Sequence, residues 1–340
     1  MKIKRLVIEN FKSIERIELI EPNPFTVFVG PNGSGKSNIF EALEFVNLHE
    51  KFASNNDISQ VYFRSDAGRL YGGPIKFLNR SIFSPAFKFG CFFDSFTTSI
   101  EIDYTDNISD PLQGPLSLGE NFGIGNVNFE EYQQFYNRYS RIFVGNEKLV
   151  KLPFNDNTTL SLSAKNLESV LKRILDNPIL RNEIFEWLEL FIPEFKNIEI
   201  ITNQYRSEEV LFWYDQYAEK PFTKDLISDG TFNILVLLTA IYQSEEPQFL
   251  CIEEPENGLN PKVVRELVNL CRYACEEKGH FIWLNTHSQT LVSQLTPDEI
   301  ILVDKKQGAT QTKQIKGMNL HGLPMDEAWL SKVLGGGLPW

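Results

Sequence analysis

Phe25-Thr-Val-Phe-Val29 runs straight into Gly30-Pro31-Asn32-Gly33-Ser34-Gly35-Lys36-Ser37, and the second stretch fits G-x-x-x-x-G-K-[ST] at every position. Its flanks decide how it is read. The five apolar residues before it suit a short buried strand. From Ser37 to about residue 48, Ile39, Phe40, Leu43 and Val46 recur on one helical face. Strand, glycine turn and helix in that order make a phosphate-binding loop. The glycines let the backbone wrap closely, successive N–H groups point inward, and the helix start adds partial positive charge. In this pattern Lys36 reaches the β- and γ-phosphates, and the Ser37 hydroxyl is a Mg²⁺ ligand. Gly30, Asn32, Gly33, Ser34, Gly35 and Asn38 complete the nucleotide-binding set.

Two further motifs follow in order. Phe249-Leu-Cys-Ile-Glu253-Glu254 is an apolar strand ending in two acids. In a doubly wound sheet, ligands sit at the carboxyl ends of strands. Two carboxylates there are costly beside apolar packing unless cations or water partner them. A Mg²⁺ at Glu253 removes that cost and leaves Glu254 to orient and deprotonate the attacking water. The plainer alternative is a pair of solvated loop acids. Thr286-His287-Ser288 comes after the apolar run Phe281–Leu284. That order puts His287 at the same sheet edge, beside the γ-phosphate and the water. A lone histidine is otherwise structural.

The order of P-loop, Leu226-Ile-Ser228-Asp229-Gly230-Thr231, Cys251-Ile-Glu-Glu-Pro-Glu256-Asn-Gly258-Leu-Asn-Pro261 and Thr286-His287-Ser288 resembles the ABC ATPase heads of the SMC/RecF/OLD group. Within that group it is most similar to the OLD-like ATPases, often found in bacterial anti-phage systems. The resemblance covers about residues 1–48 and 160–310. It implies that Ser228, Asp229 and Gly230 form a signature loop capping the γ-phosphate of an opposite subunit, so that ATP and Mg²⁺ lie sandwiched between two heads. It further implies that Gly258 and Leu259 form the D-loop, that His287 is the switch histidine, and that Lys12 and Ser13 lie near the nucleotide. Three features depart from the pattern. Glu253 stands where many ABC ATPases have Asp, and Asn260 where the relatives often carry His. The Q-loop glutamine has no clear counterpart; Gln60 is a candidate by position alone.

Strands alternating with helices in the second half predict an α/β fold with a mixed sheet around a parallel P-loop core. Residues 1–50 and 225–310 read as that core. Residues 51–224 read as an inserted antiparallel β subregion and a helical lobe, with Gly114–Asn128 a loop and two helices meeting at Pro178. Residues 311–340 read as a tail. In the tail Trp329, Leu334, Leu338 and Trp340 flank a glycine run (Gly335–Gly337), which suits folding back onto the body or docking a partner.

Length and composition bound the rest. At roughly 150 residues per domain, 340 residues suit about two domains or one large domain with an insertion. The four cysteines are too few for a disulfide framework, and Cys271 and Cys275, one helical turn apart, suit apolar packing. A net charge of −12 argues against a broadly basic DNA-binding surface, and Lys2, Lys4, Arg5, Lys12 and Arg16 read as a solvated strand face. There is no signal-peptide pattern and no membrane-length apolar run, so a cytoplasmic protein is expected. No heptad run separates the halves, and too few residues follow Val303 for a Toprim nuclease domain. The expectation is therefore an ATPase subunit that dimerises on ATP and controls a separate effector chain, often a nuclease. A RecF-like DNA-repair ATPase, a scaffold with little turnover and a transporter subunit are the alternatives.

Overall fold

The computed structural model describes residues 1–53, 86–94, 96–103, 117–123, 129–143, 157–203 and 208–336. It opens with the hairpin β1 (Ile3–Phe11) and β2 (Ile14–Ile20), strand β3 (Phe25–Val29) and helix α1 (Lys36–Ala53). Strands β4 (Ala86–Phe93), β5 (Thr97–Asp103) and β6 (Ser117–Gly123) follow, then a short helix α2 (Phe129–Tyr132) and strand β7 (Tyr139–Phe143). Next come helices α3 (Leu167–Leu175) and α4 (Pro178–Phe191) and strands β8 (Phe195–Asn203), β9 (Glu208–Asp215) and β10 (Phe222–Thr223). The last part holds α5 (Asp229–Tyr242), β11 (Phe249–Glu253), α6 (Pro261–Glu277), β12 (Phe281–Thr286), α7 (Gln289–Val292), β13 (Ile300–Lys306), β14 (Ala309–Gln314) and α8 (Met325–Leu330).

The central sheet has the order β14-β13-β3-β12-β11-β7. Its strands from β13 to β7 run parallel, and β14 alone returns antiparallel. Each parallel strand divides its side chains between two cores. Val27, Leu250, Ile282 and Leu302 point to one, and Phe28, Cys251, Trp283 and Val303 to the other. That two-sided burial is why these strands read as continuous apolar runs. The first core is closed by α3, α4, α5 and α6 together with the small antiparallel sheet β10-β9-β8. The second is closed by α1 and the antiparallel sheet β2-β1-β4-β5-β6. Helix α5 is buried all round from Ile234 to Tyr242, as its unbroken apolar sequence requires. Pro178 and Pro261 each stand at a helix start, behind the N-caps Asn177 and Asn260.

Three expectations need correction. Ser117–Gly123, inside the expected loop Gly114–Asn128, is an edge strand paired with β5 from Ser117 opposite Asp103 to Gly123 opposite Thr97. The waiting partner edge, not the residue composition, makes it a strand. Strand β7 lies inside the segment 51–224 expected as an insertion. It nevertheless completes the ATPase sheet, with Arg141 opposite Cys251. Strand β14 crosses the expected core–tail boundary, because β13 turns back on itself through Gln307 and Gly308. The tail, through Gly336, folds back onto the body, the first of its two readings. Met325, Ala328, Trp329 and Leu334 belong to the first core. The glycines pack closely: a Cβ on Gly336 would lie 2.6 Å from Asp304 Oδ2. Leu338, Trp340 and Gln60 lie outside the described residues. Among the described residues, no helix is long and apolar enough to cross a membrane.

Candidate nucleotide site

Strand β3 delivers Gly30 to the carboxyl edge of the parallel sheet, where its N–H donates to Thr286 O at the end of β12 (3.3 Å). The loop then winds with no room for side chains at two positions. A Cβ on Gly30 would lie 2.1 Å from Val303 O, and one on Gly35 would lie 2.0 Å from Thr310 Oγ1. Gly35 also holds φ of +101° and Gly33 φ of +79°, which glycine adopts without strain. Asn32 is exposed on the loop. Helix α1 starts at Lys36, so its unsatisfied first amides face the loop.

The Lys36 ammonium is buried and donates to Gly30 O (2.7 Å) and Pro31 O (2.9 Å). Burial lowers its pKa, and the charges of Glu254, Glu256 and Glu253 oppose that shift. Ser34 Oγ is buried with no hydrogen-bond partner among the described residues. A tight glycine cradle holding an orphaned hydroxyl and a buried cation fits a phosphate chain.

A hydrogen-bond chain ties neighbouring elements to this loop. Asn38 Nδ2 donates to Ser13 Oγ (2.6 Å), which lies 2.6 Å from Thr310 Oγ1, and that hydroxyl donates to Ser34 O (2.9 Å). A hydroxyl has one hydrogen to give, so Ser13 donates to Thr310. Ser13 and Asn38 therefore meet at the loop as expected of neighbours, and Thr310 joins them without any signal in the sequence. Lys12 pairs with Glu41 on α1.

Strand β11 ends on Glu253, which is buried. Its Oε2 accepts from Ser37 Oγ at 2.5 Å, and its Oε1 accepts from Arg141 Nε at 2.6 Å. The Arg141 guanidinium, itself buried, also donates to Glu44 (2.8 Å) and Glu41 (3.3 Å). It supplies the cation that a buried carboxylate needs. Ser37 and Glu253 are the hard oxygen donors that Mg²⁺ takes alongside phosphates and water. Among the described residues no group of three or more His, Cys, Asp and Glu could hold a metal by itself.

Glu254 has φ of +47°, and its N–H donates to Asn285 O and Asn285 Oδ1. Its Oε1 lies 3.3 Å from His287 Nδ1, and its Oε2 accepts from Asn257 Nδ2 (3.2 Å). So the second acid and the histidine face each other at the mouth of the site. Glu256, quoted in the motif but given no role there, accepts a hydrogen bond from the Thr286 hydroxyl, and burial raises its carboxyl pKa. Its other oxygen, Oε2, has no partner among the described residues.

Ser228, Asp229 and Gly230 sit elsewhere. Ser228 caps α5 by accepting from Thr231 N (3.1 Å). Gly230 is pressed on the 257–258 turn, where a Cβ would lie 2.5 Å from Gly258 O. Asn233 Nδ2 donates to Asn257 O (2.6 Å) and fixes the same contact. Ser228 and Asp229 are exposed. The site residues thus fall into two groups: Gly30–Asn38 with Ser13, Glu253, Glu254 and His287, and Ser228–Gly230 against the 257–258 turn.

Residues 25–293 match the family described as "AAA domain, putative AbiEii toxin, Type IV TA system". The chain belongs to this AAA-domain family. Short stretches match curated relatives. The chromosome partition protein Smc of Methanocaldococcus jannaschii is 50% identical over 44 residues, 13% of this chain and 4% of that protein. The DNA replication and repair protein RecF of Clostridioides difficile is 34% identical over 73 residues, 22% of this chain and 19% of that protein. The matches thus span only a small part of those relatives. Among solved structures, the Smc head with an extended coiled coil bound to the C-terminal domain of ScpA, derived from Pyrococcus furiosus, has a TM-score of 0.57 at 15% identity, covering 98% of this chain and 99% of that one. The SMC head domain from Thermotoga maritima has a TM-score of 0.51 at 16% identity, covering 93% and 100%. Over nearly its whole length the chain has the fold of an SMC head, and its short sequence matches are to Smc and RecF proteins.

Proposed function

We propose that the chain is an ATP-binding and ATP-hydrolysing subunit whose nucleotide-driven dimerisation controls a separate effector, a nuclease of anti-phage defence, in the manner of OLD-like ATPases. The observation that carries the hydrolytic part is the division of the acids. Glu253 is tied to Ser37 and Arg141 inside the sheet, whereas Glu254 is free of the metal position and faces His287 at the mouth. The family description, with its toxin and antitoxin wording, supports a defence role.

Each residue has a task in this reading. The Gly30–Ser37 amides and Lys36 hold the phosphates, and Ser37 with Glu253 holds Mg²⁺. When bound, the ion screens the charge that develops on the β- and γ-phosphate oxygens. Glu254 Oε1 orients the attacking water and takes its proton, while His287 fixes the carboxylate. Ser228–Gly230, packed away on the 257–258 turn, present exposed backbone and hydroxyl groups to a second copy.

The RecF match favours a second reading, a DNA-repair ATPase. The amino-terminal cations weigh against it. Lys4 pairs with Glu21, Arg5 with Glu18 and Arg16 with Glu9, so this face carries little free positive charge.

Nucleotide binding and phosphate release, measured side by side, test the proposal. Lys36→Ala should lose ATP binding. Glu254→Gln should bind ATP and turn it over roughly 10²–10⁴-fold more slowly. Normal turnover in Glu254→Gln would remove Glu254 from the chemistry.

A further inference from the structure

Asn285 is the next-to-last residue of β12, beside the two acids, and belongs to no motif read from the sequence. It is 1% exposed and stands opposite Glu253 in the pairing of β11 with β12. Glu254 N–H donates to it twice, to the main-chain O and to Oδ1, each at 3.1 Å. A backbone N–H can only donate, so the side-chain atom facing it is the oxygen, and the orientation of the amide is fixed. Nδ2 is thereby left as a buried donor, and it has no partner among the described residues. Glu254 itself holds φ of +47°. A residue without a glycine's freedom keeps that backbone only where its surroundings impose it, and such sites cluster where chemistry occurs.

We propose that Asn285 is a positioning residue for ATP hydrolysis. Its Oδ1 joins its main-chain O in accepting from the Glu254 N–H, which fixes the side-chain amide with Nδ2 turned away from that bond. Its Nδ2 donates to the water that Glu254 deprotonates. The inference rests on the catalytic reading of Glu254 given above. Buried donors are kept unpaired where an acceptor arrives with the reaction. At the carboxyl edge of the sheet, between the metal-side acid and the base, that acceptor is the attacking water.

The test uses the full chain with Asn285→Ala and Asn285→Asp, each alone and combined with Glu254→Gln. Steady-state phosphate release, equilibrium Mg–ATP binding and a melting curve are measured for every variant. Asn285→Ala leaves the main-chain O to accept from Glu254, so the turn persists. Its kcat should fall roughly 10²-fold, the usual effect of losing one preorganised donor, with ATP affinity and KM within about twofold of wild type. Asn285→Asp keeps the shape and the acceptor but has no donor, so it should not restore turnover. In the Glu254→Gln background, Asn285→Ala should slow turnover no further, because both act on one water. Turnover near wild type in either single variant would overturn the proposal. So would parallel losses of kcat, ATP affinity and melting temperature, or additive losses in the double variant. Normal turnover in Glu254→Gln alone would remove both residues from the chemistry, whereas a slow Glu254→Gln beside a fast Asn285→Ala would remove Asn285 only.

Discussion

Arg141 answers three carboxylates with one buried guanidinium, and two of them, Glu44 and Glu41, lie on the helix that leaves the P-loop. Arg141→Ala leaves Glu253 buried beside uncompensated charge, a change that costs about 3–5 kcal/mol. The expected outcome is a large fall in melting temperature, partly restored when Glu44→Gln removes one acid. No rescue by Glu44→Gln would show that the charge balance is not the cause. At this scale the sequence displays Lys36, Ser37, Glu253, Glu254 and His287, because each stands at a fixed offset from an apolar strand. It hides Arg141, Asn285 and Thr310. Arg141 meets Glu253 across 112 residues and Thr310 meets Ser34 across 276, and no local pattern marks partners so distant.

Two elements carry stability that ordinary measurements can read. Helix α8 seats Trp329 in the core, 1% exposed, alongside Met325, Ala328 and Leu334. Trp329→Ala should destabilise the fold by about 3–5 kcal/mol, read as a shifted urea midpoint. An unchanged midpoint would mean that the carboxyl-terminal helix is not docked on the body. At the opposite end of the sheet, His280 is buried between β12 and α5. Its Nδ1 accepts from Gln248 N (3.4 Å), so Nε2 carries the proton and donates to Ile241 O (3.1 Å). Burial lowers its pKa from 6.5 to about 4. The fold therefore favours the neutral ring, and stability should be lost as pH falls through 6.5 towards 4. The full loss is about 3 kcal/mol. Urea titrations at about pH 7 and about pH 4.5 should show a loss in wild type that His280→Gln lacks; equal losses would place the acid sensitivity in other groups. The parallel strands were legible because each feeds two cores. Strand β6 was not, since its glycines and polar residues reveal nothing of the β5 edge awaiting them. Strand β7 was not, since an arginine at the centre of five residues breaks the apolar run that marks its neighbours.

Across the whole molecule, the two groups of site residues lie on different surroundings. The P-loop, Glu253, Glu254 and His287 crowd the carboxyl edge of the parallel sheet, while Ser228–Gly230 are locked to the 257–258 turn by a close glycine–glycine contact. In the function proposed above, a second copy with ATP between the heads uses both groups at once. Mass measurement of Glu254→Gln should show a dimer with Mg–ATP and a smaller species without it. A monomer at every concentration would count against nucleotide-driven association.

Sharing of one site between two chains is tested most directly by mixing Lys36→Ala with Ser228→Arg and measuring phosphate release. Neither variant alone should hydrolyse ATP, because each dimer lacks either both phosphate cradles or both caps. The mixture should regain turnover, because a mixed dimer pairs an intact P-loop from one chain with an intact Ser228 loop from the other. No activity in the mixture, under conditions where mixed dimers are shown to form, would contradict the shared site.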